Sequence, residues 1–517
     1  MSPRRALAAA AVAACALTTA GPAAAAAPRC SDTHWVGVWS APATDASRGT
    51  GVGDRVDGSF NEKTSTRNDT TRAILTPTSG GSTLRVRLSN RYGAVPVTFG
   101  RVTVARRQAG AMLVPGTATE VRFGGQRSVT LAPGKELVSD AVALEFPPFQ
   151  SLAVDVFVPG DVGKPTEHFS ARQTSYLTPD GTGDRAGEES GASFTERTTG
   201  RPFVVGVDAL QPASAGAVLA LGDSVTDGYD GALTGVPETK DGIDADARYT
   251  DVLARRLRAG RRELSVLNSG MTGNRVLRDS SPTYGPSALN RLKADVLDQS
   301  GVTTVIWLEG LNDIAQRPSA GVPELIAGWR QGISRMKAAG LRVLLGTLPP
   351  TGSADTRPDA MEDKRRRLNH WIRHSGEPDG VIDFDAAVRD PQVPNRVRRE
   401  YQGSDFLHLN LAGNRALAEA VPLGQLLDAV CGSPLAVRVT PRRLVAGRRT
   451  TLRVVVRRDG RPVRGAVVRF GSVIATTGAD GVARLRVRAR GAGLRTLAVA
   501  AQGAETRRLR LRVRAAR

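Results

Sequence analysis

Charged and apolar side chains alternate through Leu84-Arg85-Val86-Arg87-Leu88, the period of a strand with one face buried and the other in water. Val97–Val104, Ala153–Val158 and Phe203–Val207 are further short β-type runs. Turn-forming clusters separate them, among them Thr78-Ser79-Gly80-Gly81 and Asp180-Gly181-Thr182-Gly183, and such clusters bound strands because their backbones tolerate tight turns. Residues 31–210 therefore read as an antiparallel β-sandwich. Trp35 and Trp39 stand near its start, as core fillers first and as sugar-stacking surfaces second.

From 216 to 432 the pattern changes. Apolar runs at Val218–Leu221, Leu264–Leu267, Val302–Leu308, Val343–Leu348 and Val381–Phe384 alternate with stretches of helical period. These cover Tyr249–Leu257, Ala288–Leu297, Pro323–Ala338 and Met361–Ile372. A last helix starts near Leu411 and meets Pro422 on its way towards Val430. Strand–helix alternation predicts a parallel sheet with helices on both faces. Residues 433–517 return to short strands, at Leu435–Val439, Thr451–Val456, Ala466–Phe470, Ala483–Val487, Thr496–Ala500 and Leu509–Val513. Arg457-Arg458-Asp459-Gly460 and Gly478-Ala479-Asp480-Gly481 fit hairpin turns. This tail resembles the small immunoglobulin-like β-sandwiches of bacterial secreted proteins, a likeness of fold that says little about activity.

The N-terminus adds a targeting segment. Arg4 and Arg5 precede the apolar stretch Leu7–Thr19, and Ala23–Ala27 offers small residues for cleavage, the layout of a secretory signal over residues 1–27. Val12-Ala13-Ala14-Cys15 loosely fits a lipidation box, the lesser reading. Export leaves Cys30 and Cys431 as a candidate disulfide; the alternative is two unpaired small residues. The chain carries a net charge of +21. From Gly432 onward there are 22 Arg, no Lys and three acids, a net of +19, so the basic character belongs to the tail. Such a field suits an anionic wall polymer or lipid surface, or it is only arginine substituted on exposed strand faces. No motif supports specific nucleic-acid recognition.

The chemistry gathers where strands end. Val218–Leu221 runs into Gly222-Asp223-Ser224, Leu264–Leu267 into Asn268-Ser269-Gly270-Met271-Thr272-Gly273, and Val302–Leu308 into Gly310-Leu311-Asn312-Asp313. Asp405-Phe406-Leu407-His408 precedes the last helix. In open α/β sheets ligands sit at these carboxyl ends. A serine hydroxyl becomes a nucleophile with a base, an orienting carboxylate and oxyanion donors at hand. Each residue also has a structural reading: Ser224 or Asp405 as a helix cap, Asn312 in a turn, and Asp223, Asp227 and Asp313 as turn organisers.

Four such blocks in this order resemble the SGNH (GDSL-type) serine hydrolases. The resemblance spans residues 216–432 and implies an α/β three-layer hydrolase with a parallel sheet; with the N-terminal β-sandwich and the C-terminal immunoglobulin-like β-sandwich read from the strand patterns on either side, the chain is expected to be multidomain. It implies Ser224 as nucleophile, His408 as base and Asp405 as its partner. The backbone N–H groups of Ser224 and Gly273 and the amide of Asn312 become the oxyanion donors, with Gly273 preferred to Gly270. It also implies an esterase, needing no cofactor or metal, for O-acetylated carbohydrate or short acyl esters; with the signal segment this reads as a secreted enzyme, expected to act as a monomer. The alternatives are a lipase or phospholipase, and a wall-binding adhesin on a degenerate hydrolase fold. His370 and His374, spaced i, i+4, read as a solvated helix face and not a metal pair.

Overall fold

The alternation between 216 and 432 is a five-stranded parallel sheet in the computed structural model, which describes residues 33–45, 66–169, 171–230, 242–280, 284–351, 359–426, 435–458, 460–501 and 504–515. Its order is Leu264–Gly270, Gly216–Gly222, Val302–Leu308, Arg342–Gly346 and Gly380–Ile382. Gly216–Gly222 is buried throughout, which is why it reads as an unbroken apolar run. Successive side chains leave opposite faces of a strand. Leu219 and Leu221 accordingly join a core with Trp307 and Trp329, beneath helices Val322–Ala338 and Asp359–His374. Val218 and Ala220 join a second core with Leu253 and Leu417, from helices Tyr249–Ala259 and Leu411–Ala420. Pro422 ends the last of these, leaving one 3-10 turn at Leu423–Gln425.

Before residue 216 the chain is strand-rich and antiparallel. One sheet centres on Gly81–Asn90, flanked by Val204–Pro212 and Lys135–Val138, with Thr33–Ser40 at its edge. Leu84, Val86 and Leu88 are buried while Arg85 and Arg87 lie part-exposed. The other sheet centres on Thr66–Leu75, Leu152–Gly163 and Arg101–Ala109. Side chains of both sheets meet in one apolar cluster. The expected Val97–Val104 strand is two strands. Val97–Phe99 pairs with Val129–Leu131, and the chain changes partner at Gly100, so that Arg101–Ala109 pairs with Leu152–Gly163. Guanidinium groups cover both tryptophans, Arg85 over Trp35 at 4.5 Å and Arg201 over Trp39 at 4.7 Å, and Trp39 packs against the apolar cluster.

The tail has a four-stranded and a five-stranded sheet around its own apolar cluster. The six expected strands are present, joined by Arg443–Val445, Arg461–Pro462 and Val473–Thr476. Residues 1–27, Cys30 and Cys431 lie outside the described residues. Among the described residues no helix is long and apolar enough to cross a membrane.

The N-terminal β region is bonded to the parallel sheet at its Leu264–Gly270 edge. The Gly37 N–H donates to the Ser300 carbonyl at 2.9 Å, and the Val266 N–H donates to Thr78 Oγ1 at 2.8 Å. Ser40 Oγ donates to the Asn268 carbonyl at 3.1 Å, and Arg91 meets Asp295 at 2.9 Å. A Cβ on Gly37 would lie 2.8 Å from Leu267 Cδ1, so glycine permits this approach.

Candidate active site

Gly216–Gly222 delivers Ser224 onto a four-residue helix, Ser224–Asp227. The turn is tight: a Cβ on Gly222 would lie 2.1 Å from Thr226 Oγ1 and 2.5 Å from the Leu308 carbonyl. The helix cap is Asp223, whose carboxylate accepts the Val225 N–H at 3.1 Å. Ser224 is thus free of the capping role and faces a cavity of about 170 Å³. Ser224, Gly273, Asn312 and His408 all line that cavity, with Tyr229, Tyr284, Leu311 and Leu407 among its walls.

Ser224 Oγ lies 2.8 Å from His408 Nε2, and His408 Nδ1 lies 2.6 Å from Asp405 Oδ2. A carboxylate only accepts, so Nδ1 carries the hydrogen and Nε2 offers its lone pair to the serine hydroxyl. Asp405 Oδ1 accepts the backbone N–H groups of Leu407 at 3.0 Å and His408 at 2.8 Å. Burial would raise the Asp405 carboxyl, but the hydrogen bond and charge of His408 and these two N–H groups outweigh it and hold the group at about 2. Phe406 between them has φ of 62°, a left-handed conformation rare in a bulky residue. The residue is 58% exposed. Tyr229 stands edge-on to the imidazole, with ring centroids 4.7 Å apart and planes at 89°. The cap of helix Leu411–Ala420 is Asn410, not Asp405.

The second and third blocks bring Gly273 and Asn312 to the cavity wall. Gly273 has φ of 77° and lies under the Tyr284 ring, where a Cβ would come within 2.2 Å. Gly270, the alternative, sits behind the serine turn with its N–H given to Asn268 Oδ1 at 2.8 Å. Gln316, one helical turn after Asn312, was not singled out from the sequence. Its Nε2 donates to Asn312 Oδ1 at 3.1 Å and to the Gly273 carbonyl at 3.0 Å. That fixes the Asn312 amide with Nδ2 on the far side from Gln316, donating one hydrogen to the Asn274 carbonyl at 3.0 Å. The second hydrogen is left for the cavity.

Buried ionisable groups support these loops. Asp313 accepts the N–H groups of Val276 and Leu277 at 2.8 and 3.0 Å, and burial raises it to about 6. Burial, with Glu309 nearby, pushes Asp223 up to about 8. Arg291, also unanticipated, donates to the carbonyls of Gly222 and Ser269 at 2.9 and 2.8 Å and to Asn274 Oδ1 at 2.8 Å. It ties the serine turn to the second block. His370 and His374 are exposed on their helix, and His374 Nδ1 lies 2.8 Å from the His370 carbonyl. The arrangement can generate an alkoxide at Ser224, accept its proton at His408 and place amide donors beside an oxyanion.

Residues 220–416 match the model of the GDSL-like Lipase/Acylhydrolase family. The chain is similar in structure to the aryl esterase of M. smegmatis, at 20% identity and a TM-score of 0.33, over 41% of this chain and 100% of that one. It is similar to a carbohydrate acetylesterase from Sinorhizobium meliloti at 17% identity and a TM-score of 0.30, covering 40% and 95%. An acetyl xylan esterase from Geobacillus stearothermophilus gives 22% identity and a TM-score of 0.31, covering 40% and 93%. No curated protein matches the chain.

Proposed function

We propose that the chain, whose residues 220–416 match the model of the GDSL-like Lipase/Acylhydrolase family, is a carboxylic-ester hydrolase, and more narrowly a serine esterase for short acyl groups, O-acetylated carbohydrate foremost. The observation that carries this reading is the unbroken chain Ser224–His408–Asp405 opening into one cavity. Ser224 Oγ attacks the ester carbonyl while His408 Nε2 takes its proton and passes it to the leaving alcohol. Asp405 holds the tautomer and stabilises the imidazolium. The N–H groups of Ser224 and Gly273 and the Asn312 amide receive the oxyanion. Water then releases the acyl group by the same steps in reverse.

The cavity of about 170 Å³ beside Ser224, walled by Tyr229, Tyr284, Leu311 and Leu407, supports a short acyl group. A second reading, hydrolysis of acyl lipids, is favoured by the exposed Phe406 and Leu411 on either side of His408. Hydrolysis of p-nitrophenyl acetate, butyrate and palmitate by the wild type and Ser224→Ala decides between them. The expected result is activity on the short esters that disappears in the variant. A palmitate preference transfers the assignment to a lipase, and an active Ser224→Ala removes Ser224 from the mechanism.

The flanking regions fit β-sandwiches, with boundaries near 31–210 and 433–517, since paired sheets share one apolar cluster in each; a tryptic digest releasing fragments at other boundaries would contradict them. The N-terminal segment supports export, to be checked by finding the mature chain in the culture medium. The tail is proposed to hold the enzyme on an anionic wall or lipid surface. Arg438, Arg449, Arg453, Arg457, Arg484, Arg486 and Arg488 occupy exposed alternate positions on three paired strands that contain no acid. Arg453 stands directly opposite Arg484, and Arg449 opposite Arg488. Like charges so placed destabilise a sheet, and an anionic polymer lying across them relieves that repulsion.

A further inference from the structure

The pair of loops proposed to carry the nucleophile and the oxyanion is braced by a residue from outside the parallel sheet. His168 belongs to the short strand Thr166–His168 of the N-terminal β region, and it is buried. Its Nδ1 lies 2.9 Å from the Pro42 carbonyl and its Nε2 lies 3.0 Å from Asp227 Oδ1. Both ring nitrogens thus face oxygen atoms, the Pro42 carbonyl and the Asp227 carboxyl group, and the pair is shielded from water.

Asp227 spends its other oxygen on the neighbouring block. Oδ2 accepts the Thr272 N–H at 2.9 Å and the Thr272 hydroxyl at 2.7 Å. The Asp227 N–H donates to the Asp223 carbonyl at 2.9 Å, and Arg248 Nε donates to the Asp227 carbonyl at 2.7 Å. The Arg248 guanidinium in turn reaches the Ala171 carbonyl, again in the N-terminal region. One carboxylate thus joins the turn that carries Ser224 to the residue immediately before Gly273. Burial alone would raise Asp227, but the charge and hydrogen bond of His168, then Arg248 and Thr272, reverse this and hold it low.

We propose that His168 is a positioning residue for ester hydrolysis: by fixing Asp227 it fixes Thr272, and through Thr272 the angle at which the Gly273 N–H meets the oxyanion. The inference rests on the serine-esterase reading above. It makes the N-terminal β region part of the catalytic apparatus, beyond any part it has in binding substrate. A buried hydrogen-bonded pair at this spot demands a directional contact from each partner, which an apolar contact would not supply. Oxyanion donors act only when aimed at the developing charge, and a misplacement of about 1 Å is worth about 10²-fold in rate.

The test compares His168→Phe, His168→Gln and Thr272→Val in the full chain. Active sites are first counted by covalent titration with a fluorophosphonate, so that any misfolded fraction is removed from the rates. The expected result for His168→Phe is a kcat per titrated site on p-nitrophenyl acetate lower by about tenfold to a hundredfold, with KM changed little. Affinity for a boronic acid, which places an oxyanion in the same hole, falls in parallel. His168→Gln retains one N–H for Asp227 and recovers part of the loss. Thr272→Val keeps the side-chain volume and serves if His168→Phe fails to fold. Because the two residues act through one carboxylate, the double variant loses no more than His168→Phe alone. An unchanged kcat per titrated site with only a lower melting temperature, or losses that simply multiply, overturns the proposal. An active Ser224→Ala overturns the underlying reading instead.

Discussion

Replacing Asp405 by asparagine isolates what its charge does. In Asp405→Asn the amide oxygen still accepts the Leu407 and His408 N–H groups that Asp405 Oδ1 accepts now, at 3.0 and 2.8 Å, so the loop keeps its shape. The new NH₂ group then faces His408 Nδ1, which must become an acceptor. The imidazole hydrogen moves to Nε2, 2.8 Å from Ser224 Oγ, and the base presents a donor where it needs a lone pair. The same change in a serine protease triad lowers kcat by about 10⁴, equivalent to about 5.4 kcal/mol of transition-state stabilisation at about 1.36 kcal/mol per decade. We expect a loss of that order here, with KM nearly constant because the acyl cavity is untouched. Stability should change far less, since charge-assisted hydrogen bonds exceed neutral ones by only about 1 kcal/mol each. The stability difference also has a defined pH dependence. The Asp405 value in the fold, about 2, lies below the unfolded value of about 3.9, so its contribution is complete above pH ~4 and disappears as pH falls through about 2. Steady-state hydrolysis of p-nitrophenyl acetate and urea unfolding at about pH 7 and about pH 3, on either side of that unfolded value, measure both quantities. A kcat within about tenfold of wild type would mean that Asp405 does not set the imidazole tautomer.

Asn312→Ala removes one proposed oxyanion donor and should cost about 10²–10³ in kcat with little change in KM, read from the same steady-state assay. Gln316→Leu frees the Asn312 amide to rotate and should lower kcat by roughly tenfold, and a boronate affinity equal to wild type would refute that. Neutralising Arg449, Arg453, Arg484 and Arg488 should abolish retention on an anionic polymer without altering kcat. Wild-type retention should weaken between about 0.1 and about 1 M salt, as the screening length shrinks from about 10 to about 3 Å. Retention that survives both changes argues for a non-electrostatic contact.

What was legible in the sequence is what the chemistry restricts to few residue types. Gly222, Ser224, Asn312 and His408 each stand where a strand or loop feeds the same end of the parallel sheet, and no other side chains serve those positions well. The apolar runs were legible for a similar reason, because a strand covered on both faces excludes polar residues. Thr66–Leu75 was not. Its Thr-Arg-Asn-Asp-Thr-Thr-Arg start has no apolar residue to alternate, yet it is a central strand. Arg72 lies buried there, its Nε and Nη2 each 2.7 Å from a different oxygen of Asp155. A charge that brings its own counter-charge across the sheet defeats a pattern built on burial alone. Gln316 carried a usable signal, since it lies four residues after Asn312 and so on the same helical face. The left-handed backbone of Phe406 carried none.

His168 marks a different limit. As one of five histidines, with its carboxylate partner 59 residues away, it has no local pattern to separate it from a surface residue. Its meaning exists only after two sequence-defined regions meet. The change of pattern near residue 216 divides strand-only chain from strand–helix chain, and that division is real in the backbone. It does not divide the bonding around the site. His168 to Asp227, Thr174 to Asp244 and Thr78 to Val266 all cross it, and the first reaches a loop next to the proposed oxyanion hole. The tail differs, since its apolar cluster draws only on residues from Leu435 onward. Composition separates the regions by how each builds its core. The proposed catalytic unit is set by which buried polar groups need one another, and here the His168–Asp227 contact joins the first two regions.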